Sequence, residues 1–269
     1  MKKTKFGAAL TGVICLVLAI TVLAGCGGTE KTALETIKEK GVMTVGTSAD
    51  YPPFEFVDED GNYAGFDIEL IKAIGEKMGV EVKIEDMTFD TLITALQQGK
   101  IDAVIACMSP TPDRLLEADF TDPYYQTVNA VLAKKGAAVT VGEPADLTAY
   151  VIGVQTGTTH DEWATGALLE TGQITEEKYF RYQRVDQGVM DLVNGRIDVF
   201  ITDLPPAEDL AAVQPVEIVF SGELNPDENP GVAVAKGNAD LVAEINKVIE
   251  ELKADGFIGA LAEQYLAEE

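Results

Sequence analysis

The sequence predicts an α/β protein made of two similar lobes. Phe66–Met78 places isoleucines near one face of a helix, and the almost wholly apolar Ile101–Ala106 is typical of a parallel strand covered on both faces. The segment Gly99–Ala106 recurs 96 residues later as Gly195–Thr202, with a shared Gly-basic-Ile-Asp core. Alternating strands and helices indicate βαβ units, and the repeat favours two lobes over a chance match between common helix–Gly–strand segments.

The other segments extend this pattern in chain order. In the first half we predict a helix over Ala33–Lys40 ended by Gly41, a strand over Val42–Val45, an extended segment over Glu55–Val57, a strand over Val80–Ile84 and a helix over Phe89–Leu96. In the second half we predict strands over Tyr150–Val154, Tyr179–Tyr182, Ile197–Ile201 and Val216–Phe220, helices through Trp163 and before Gly195, and a helical end over Asp240–Leu266 broken at Asp255-Gly256.

Two crossings between the lobes are predicted, near Asn129–Ala133 and Asn229–Ala235, since a helical segment follows the second lobe and suggests a return to the first. We therefore expect lobe 1 to span residues 39–130 and 231–269, and lobe 2 to span residues 131–230. Two crossing strands make a hinge, and a cleft between two lobes is where a ligand would bind.

The first 25 residues are typical of an export signal. Lys2, Lys3 and Lys5 form a basic start, and Phe6–Gly25 carries no charge. A single transmembrane anchor is the alternative, because about 20 apolar residues can span a bilayer. The following Leu23-Ala24-Gly25-Cys26 resembles the lipobox of bacterial lipoproteins, which predicts a lipidated Cys26 and a tether over residues 26–38 that enters the first helix. We expect the protein to be exported and lipid-anchored to the outer face of the cell membrane.

Composition excludes several classes of protein. The chain has 20 Lys+Arg against 45 Asp+Glu, a net charge of -25, which excludes nucleic-acid binding through phosphates. One His and three Cys leave little room for a metal site, and neither a phosphate-binding loop nor a Gly-x-Ser-x-Gly motif occurs, so no cofactor and no metal are expected. Once Cys15 and Cys26 are assigned to the leader and the lipid, Cys107 has no partner for an intramolecular disulfide.

Several spaced segments carry a family resemblance. They are Gly46–Phe56 (GTSADYPPFEF), Gly65–Leu70 (GFDIEL), Met108–Arg114 (MSPTPDR), Asp119–Tyr125 (DFTDPYY), Gly153–Thr159 (GVQTGTT) and Gly195–Asp198 (GRID). In this order, from about Glu39 to Leu266, the sequence resembles family 3 of the bacterial extracellular solute-binding proteins, the amino-acid receptors of ATP-driven importers. The resemblance implies a two-lobed periplasmic-binding-protein-like fold, in which each lobe is an α/β sheet sandwich and two strands form the hinge. It also implies an amino-acid ligand and a membrane permease as partner, and we expect a monomer.

Two residues are predicted to hold the charged ends of an amino acid. Arg114 follows the predicted strand Ile101–Ala106, and its planar guanidinium can hold a carboxylate through two hydrogen bonds. The alternative is a surface arginine paired with Asp113 or Glu117. Asp203 follows the repeated strand of the second lobe, and the resemblance implies that it binds the α-ammonium. The alternative is an N-cap for the helix after it.

The resemblance assigns further residues to the ligand. Ser109 would contact the carboxylate, Cys107 would contribute backbone groups rather than a reactive thiol, and Thr158 and Thr159, with Gln155 nearby, lie at a predicted helix start that favours a carboxylate or is simply capped. The rings of Tyr51 and Phe89 would flank the ligand side chain, although bare aromatic residues are more often core. Ser48 stands where some receptors of basic residues have an acid, which argues against a lysine-like ligand.

Two other polar residues are expected to lie in solvent. Glu55 is interpreted as an exposed acid on an edge strand and a weak specificity candidate. His160, the only histidine, is interpreted as a solvated residue in the first turn of a helix, whose replacement by alanine would change affinity little.

Three functions are weighed against each other. The favoured one is a non-catalytic receptor that captures a polar amino acid by hinge closure, with a cationic, arginine-like ligand first and a glutamine-like ligand second. The alternatives are a cleft enzyme on the same fold, such as a periplasmic dehydratase, and a ligand-sensing domain for signalling. An enzyme would need an acid in the cleft that does not pair with ligand, and a sensor would need an output domain after the C-terminus.

Overall fold

The computed structural model describes residues 31–224 and 229–266, and the chain from Thr32 onward forms one unit. The predicted leader and the lipidation site Cys26 lie outside the described residues. Within the described ranges, no helix combines the length and the apolar character needed to cross a bilayer.

The elements of lobe 1 flank those of lobe 2 in the sequence. Lobe 1 contains α1 (Ala33–Lys40), β1 (Val42–Thr47), β2 (Asp50–Tyr51), β3 (Glu55–Val57), β4 (Tyr63–Ala64), α2 (Phe66–Met78), β5 (Glu81–Asp86), α3 (Leu92–Gln97), β6 (Ala103–Val104), α4 (Pro112–Glu117) and β7 (Ala118–Phe120). Lobe 2 contains β8 (Asn129–Lys134), β9 (Ile152–Gln155), α5 (Thr159–Ala164), β10 (Tyr179–Tyr182), α6 (Val185–Asn194), β11 (Val199–Asp203), α7 (Leu204–Val213) and β12 (Val216–Gly222). The chain then returns to lobe 1 with β13 (Ala233–Ala235), α8 (Ala239–Ala254) and α9 (Phe257–Tyr265).

Each lobe is built on a five-stranded sheet of the same design. The strand order is β5-β1-β6-β13-β7 in lobe 1 and β10-β9-β11-β8-β12 in lobe 2. In each sheet three strands are parallel and the fourth runs antiparallel to both of its neighbours. That fourth strand is β13 in lobe 1 and β8 in lobe 2, so each is the first strand after a crossing. The two-lobed α/β fold predicted from the sequence is confirmed.

The repeated Gly-basic-Ile-Asp segment makes equivalent packing contacts in both lobes. Ile101 lies so close to Gly46 of β1 that a side chain there would overlap it, and Ile197 lies in the same way against Gly153 of β9. These contacts let each crossover pack directly on β1 or β9, the middle one of the three parallel strands in its sheet.

The aspartates of the repeat hold the same strands by hydrogen bonds. Asp102 Oδ2 accepts the Thr44 N–H of β1 at 2.8 Å, and Asp198 Oδ2 accepts the Val151 N–H just before β9, also at 2.8 Å. The repeat is therefore a structural feature that joins the crossover to β1 in lobe 1 and to the start of β9 in lobe 2.

Several local predictions needed correction. The strand expected over Ile101–Ala106 pairs only at Ala103–Val104, and the helix expected from Phe89 begins with a 3₁₀ turn over Phe89–Thr91. Arg114 lies in a short helix, α4, for which no prediction was made; Thr111 caps this helix by accepting the Arg114 N–H, and Pro112 occupies its first turn.

Candidate functional site

A cavity lies between the two lobes. Lobe 1 lines it with Ser48, Tyr51, Glu55, Phe89, Ala106, Cys107 and Arg114, and lobe 2 lines it with Gln155, Thr158, Thr159, His160 and Asp203. Every predicted ligand residue except Ser109 is among them. The lining residues come from loops and strand ends of both sheets, as in other α/β folds that bind ligands at strand ends.

Arg114 is held in place by both lobes. It lies in the first turn of α4, where its Nη1 donates to the Ser109 carbonyl at 2.6 Å and its Nη2 donates to the Gly157 carbonyl of lobe 2 at 2.9 Å. Its guanidinium carbon lies 5.3 Å from the centre of the Phe89 ring, within cation–π range. Ser109 itself is buried and acts here through its carbonyl oxygen, so it positions Arg114 rather than lining the cavity.

Asp203 is buried in the part of the cavity wall that lobe 2 supplies. Its Oδ2 accepts the Tyr51 hydroxyl of lobe 1 at 2.6 Å. Its Oδ1 is buried without a hydrogen-bond partner in the described protein. Asp203 begins α7 but makes no side-chain cap there, so the N-cap alternative is wrong. A buried carboxylate oxygen without a donor is costly, and a bound ammonium would remove that cost.

The prediction that His160 lies in solvent is wrong. His160 is 5% exposed, because the first turn of α5 starts in the cavity wall. Asn129 Oδ1 accepts the Leu224 N–H at 2.8 Å, and Asn129 Nδ2 lies 3.2 Å from His160 Nε2. His160 Nε2 also lies 3.7 Å from Asp203 Oδ1.

The prediction that Glu55 is an exposed edge-strand acid is also wrong. Glu55 is 1% exposed and lines the cavity, because β3 turns this side chain inward against Asp67 of α2. Burial raises the pKa of Glu55 well above its usual range, and the nearby carboxyls of Asp67, Asp50 and Asp203 raise it further. Its Oε2 is another buried oxygen without a donor among the described residues.

Two aromatic rings that the sequence assigned to the ligand side chain line the cavity. Tyr51 and Phe89 are both buried and both line the cavity, so they are wall residues as well as part of the core. The Tyr51 hydroxyl also accepts the Thr202 hydroxyl and the Asp203 N–H, each at 3.0 Å. This network fixes the ring of Tyr51 against lobe 2.

The remaining predicted residues make bonds within the protein. The Thr158 hydroxyl accepts the Asp161 N–H and so caps α5, which is the alternative that the sequence left open for this residue. Cys107, at a φ of 45°, donates its N–H to Asp67 Oδ2 at 2.7 Å and lies at the cavity wall half-buried. Ser48 donates to Asp50 at 2.8 Å.

The lobes also meet outside the cavity, through residues that sequence reasoning missed. Arg184, just before α6 in lobe 2, donates to both carboxylate oxygens of Asp86 at 2.9 Å and to Asp50 at 3.3 Å. Asp50 in turn accepts the Val185 N–H at the start of α6 at 2.7 Å. A bidentate arginine pair that joins the lobes holds them in the closed arrangement. No local pattern indicates this, since the partners are about 100 residues apart.

Known proteins share this fold and much of this sequence. The model of bacterial extracellular solute-binding proteins, family 3, matches residues 43–268. The L-cystine-binding protein TcyJ of Escherichia coli (strain K12) is 31% identical over 256 residues, which cover 93% of this chain and 92% of that protein. The arginine-binding extracellular protein ArtP of Bacillus subtilis (strain 168) is 32% identical over 259 residues, which cover 95% of each chain.

A solved structure agrees with these relatives. An ancestral arginine-binding protein bound to arginine superposes with a TM-score of 0.76 at 38% identity, covering 84% of this chain and 99% of that one. Both TcyJ and ArtP are named as binding proteins rather than as enzymes.

Proposed function

Because this chain belongs to family 3 of the bacterial extracellular solute-binding proteins, we propose that it is the receptor of an ABC importer and captures a polar amino acid between its lobes. The observation that carries the proposal is the pair Arg114 and Asp203, which belong to different lobes and face one cavity. Relatives that bind arginine and cystine support the same ligand class.

The pair fits the charged ends of a zwitterion. Arg114 holds the α-carboxylate with its guanidinium, and Ser109 sets the guanidinium orientation through its carbonyl. Asp203 holds the α-ammonium through Oδ1, the oxygen without a donor among the described residues. Thr159 and Thr158 close the wall of lobe 2 near the carboxylate. Cys107 and Gln155 line the space between the two ends.

The ligand side chain lies between Tyr51 and Phe89 and points to Glu55. Two buried acids, Asp203 and Glu55, face the cavity, and Arg114 is the one fixed cation among the described residues that line it. An amino acid with a cationic side chain supplies a second positive charge, and a flat guanidinium also stacks on aromatic rings. Arginine is therefore the first candidate ligand, and glutamine, whose amide can hydrogen-bond to Glu55, is the second.

Closure is the signal that the transporter reads. The ligand bridges lobe 1 and lobe 2, so it stabilises the closed arrangement through contacts that an open cleft cannot make. Arg184 and Asp86 add a ligand-independent contact to the same arrangement. A membrane permease would then receive the ligand from a closed monomeric receptor.

We expect at least one L-amino acid to stabilise the purified protein in a thermal-shift panel of all twenty. A ligand at about 100 times its Kd adds about 2.7 kcal/mol to the native state. At about 2–4 °C per kcal/mol for a chain of this size, the Tm should rise by roughly 5–10 °C. The protein must first be shown free of co-purified amino acid. If all twenty leave the Tm unchanged, the amino-acid proposal fails.

We further propose that Cys26 carries lipid and holds the protein at the membrane. The leader, with its basic start and uncharged core, and the Leu23-Ala24-Gly25-Cys26 that follows support this. Since two or more acyl chains anchor a protein stably, the parent should fractionate with membranes, and Cys26→Ser should give a soluble or unprocessed form. Membrane fractionation and mass spectrometry of the N-terminus measure this, with Cys15→Ser as the matched control that keeps the lipid. A Cys26→Ser protein that is processed and lipidated like the parent contradicts the assignment.

A further inference from the structure

Two buried carboxyl groups meet behind the cavity wall. Glu55 on β3 is 1% exposed, and Asp67 in the first turn of α2 is 0% exposed. Each carboxyl group shifts the pKa of the other, that of Glu55 upward and that of Asp67 downward, so the two lie close together. Two carboxyl groups buried side by side are more stable when one of them carries a proton. Neither Glu55 Oε2 nor Asp67 Oδ1 has a hydrogen-bond donor among the described residues.

The surroundings place the proton on Glu55. Asp67 Oδ2 already accepts the Cys107 N–H and the Tyr124 hydroxyl, each at 2.7 Å, and both bonds favour a charged Asp67. Burial opposes this charge and raises the pKa of Asp67 to about 7. The pair therefore titrates as a unit, with one proton held mainly by Glu55.

The groups around the pair explain why it keeps its proton. Glu55 is surrounded by Asp67, Asp50 and Asp203, whose charges disfavour a second carboxylate. Tyr51, Cys107, Arg114 and His160 line the same cavity as Glu55, and of these four residues only Arg114 is a fixed cation. Arg114 makes bonds to Ser109 and Gly157, on the α-carboxylate side of the proposed ligand. A cation beside Glu55 would favour loss of the Glu55 proton, because an opposite charge at close range stabilises the ionised carboxyl.

We infer that the Glu55–Asp67 pair gives up its shared proton when a cationic ligand side chain reaches Glu55, so that capture of a cationic amino acid releases one proton. This inference rests on the proposed function. The Glu55 O–H bond breaks, the proton leaves to solvent, and the resulting carboxylate pairs with the ligand cation, so charge inside the cavity is conserved. Asp67 lies outside the cavity lining and stays bonded to Cys107 and Tyr124. A neutral amide needs no such release, because a protonated Glu55 can donate to its oxygen.

The test compares L-arginine and L-glutamine as probes. Isothermal titration of the full protein at pH 6–7, in buffers of different ionisation enthalpy, counts the protons released per ligand bound. We expect about one proton for arginine and none for glutamine, which carries the same α-carboxylate and α-ammonium and so cancels their contribution. Over the range in which the pair is protonated, arginine affinity should rise by up to about tenfold per pH unit, since a released proton makes binding stronger as pH increases.

A variant isolates the proton from the rest of the site. Glu55→Gln keeps the shape of the side chain but has no proton to release. It should weaken arginine binding by at least about tenfold and abolish the proton release. Glu59→Gln, an exposed acid two residues past β3, is the matched control and should behave like the parent.

The outcomes separate this inference from the function on which it rests. If both probes bind but arginine releases no proton, or if Glu55→Gln still releases one, the proton linkage is overturned and the receptor proposal stands. If neither probe nor any other amino acid binds, both are overturned.

Discussion

Arg114→Ala and Asp203→Ala should each weaken binding of the best ligand by roughly 30- to several-thousand-fold. In the proposed binding mode both side chains would lie in a closed, largely dry cavity, so removal of one partner would leave an opposite charge buried. Such a loss is about 2–5 kcal/mol, which corresponds to this change in Kd. Calorimetric titration with the best ligand from the thermal-shift panel measures it.

Companion and control variants separate the loss of charge at Asp203 and Arg114 from other effects of the substitutions. Asp203→Asn is a useful companion, because it removes the charge while it keeps an oxygen to accept the Tyr51 hydroxyl. The losses should not add in the double variant, since either change already prevents full closure. Arg196→Ala and Asp186→Ala, both exposed, are the matched controls. His160→Ala is unsuitable as a control, because His160 lines the cavity next to Asp203. Near-parental affinity of Arg114→Ala would overturn the site assignment.

Gly65→Ala should lower the free energy of unfolding by about 2–6 kcal/mol. Gly65 has φ 118° and ψ 173°, a region that costs other residues about 1–3 kcal/mol. A Cβ there would also overlap the Phe54 carbonyl, and overpacking adds about 1–3 kcal/mol. The overlap is hard to relieve, because the Phe66 and Asp67 N–H groups donate to the Pro53 and Phe54 carbonyls at 3.0 and 2.9 Å.

Urea unfolding of the ligand-free protein measures this change, and the Tm should fall by roughly 5–20 °C. The matched control is Gly61→Ala. Gly61 also has a positive φ, 84°, but a Cβ there meets nothing within 4 Å, so only the backbone cost of about 1–2 kcal/mol remains. If the two variants unfold within about 0.5 kcal/mol of each other, the close approach of Phe54 to Gly65 is not what requires glycine.

Much of the fold could be predicted because its signals are local or repeated. The helix Phe66–Met78 and the strand Tyr179–Tyr182 have the predicted bounds, since their periodicity and the glycine after the helix are read along the chain itself. The length of the strand around Ala103–Val104 was overestimated. A run of apolar residues indicates that a segment is buried, but it does not indicate how many of its residues pair with a neighbouring strand. The lobe bounds at residues 130 and 230 and the lipid on Cys26 stay predictions.

The sequence by itself determined the two lobes and the place of the cleft. The Gly-basic-Ile-Asp repeat specifies one crossover design twice. Asp203 is the last residue of the strand after its second copy, and Arg114 comes shortly after the strand that follows its first copy. Strand ends meet at one edge of each sheet, so residues after those strands are expected to converge whatever surrounds them.

Only the tertiary structure decided how Glu55 and His160 are used. Glu55 is buried near the carboxyl groups of Asp67 and Asp203, 12 and 148 residues away, whose charges raise its pKa, and His160 is buried against Asn129, 31 residues away. The residues next to Glu55 and His160 in the sequence do not distinguish an exposed side chain from one that lines a cavity. The same local sequence occurs in both settings. Burial and protonation depend on which distant groups arrive beside the side chain, and the packing of the two lobes alone brings them there.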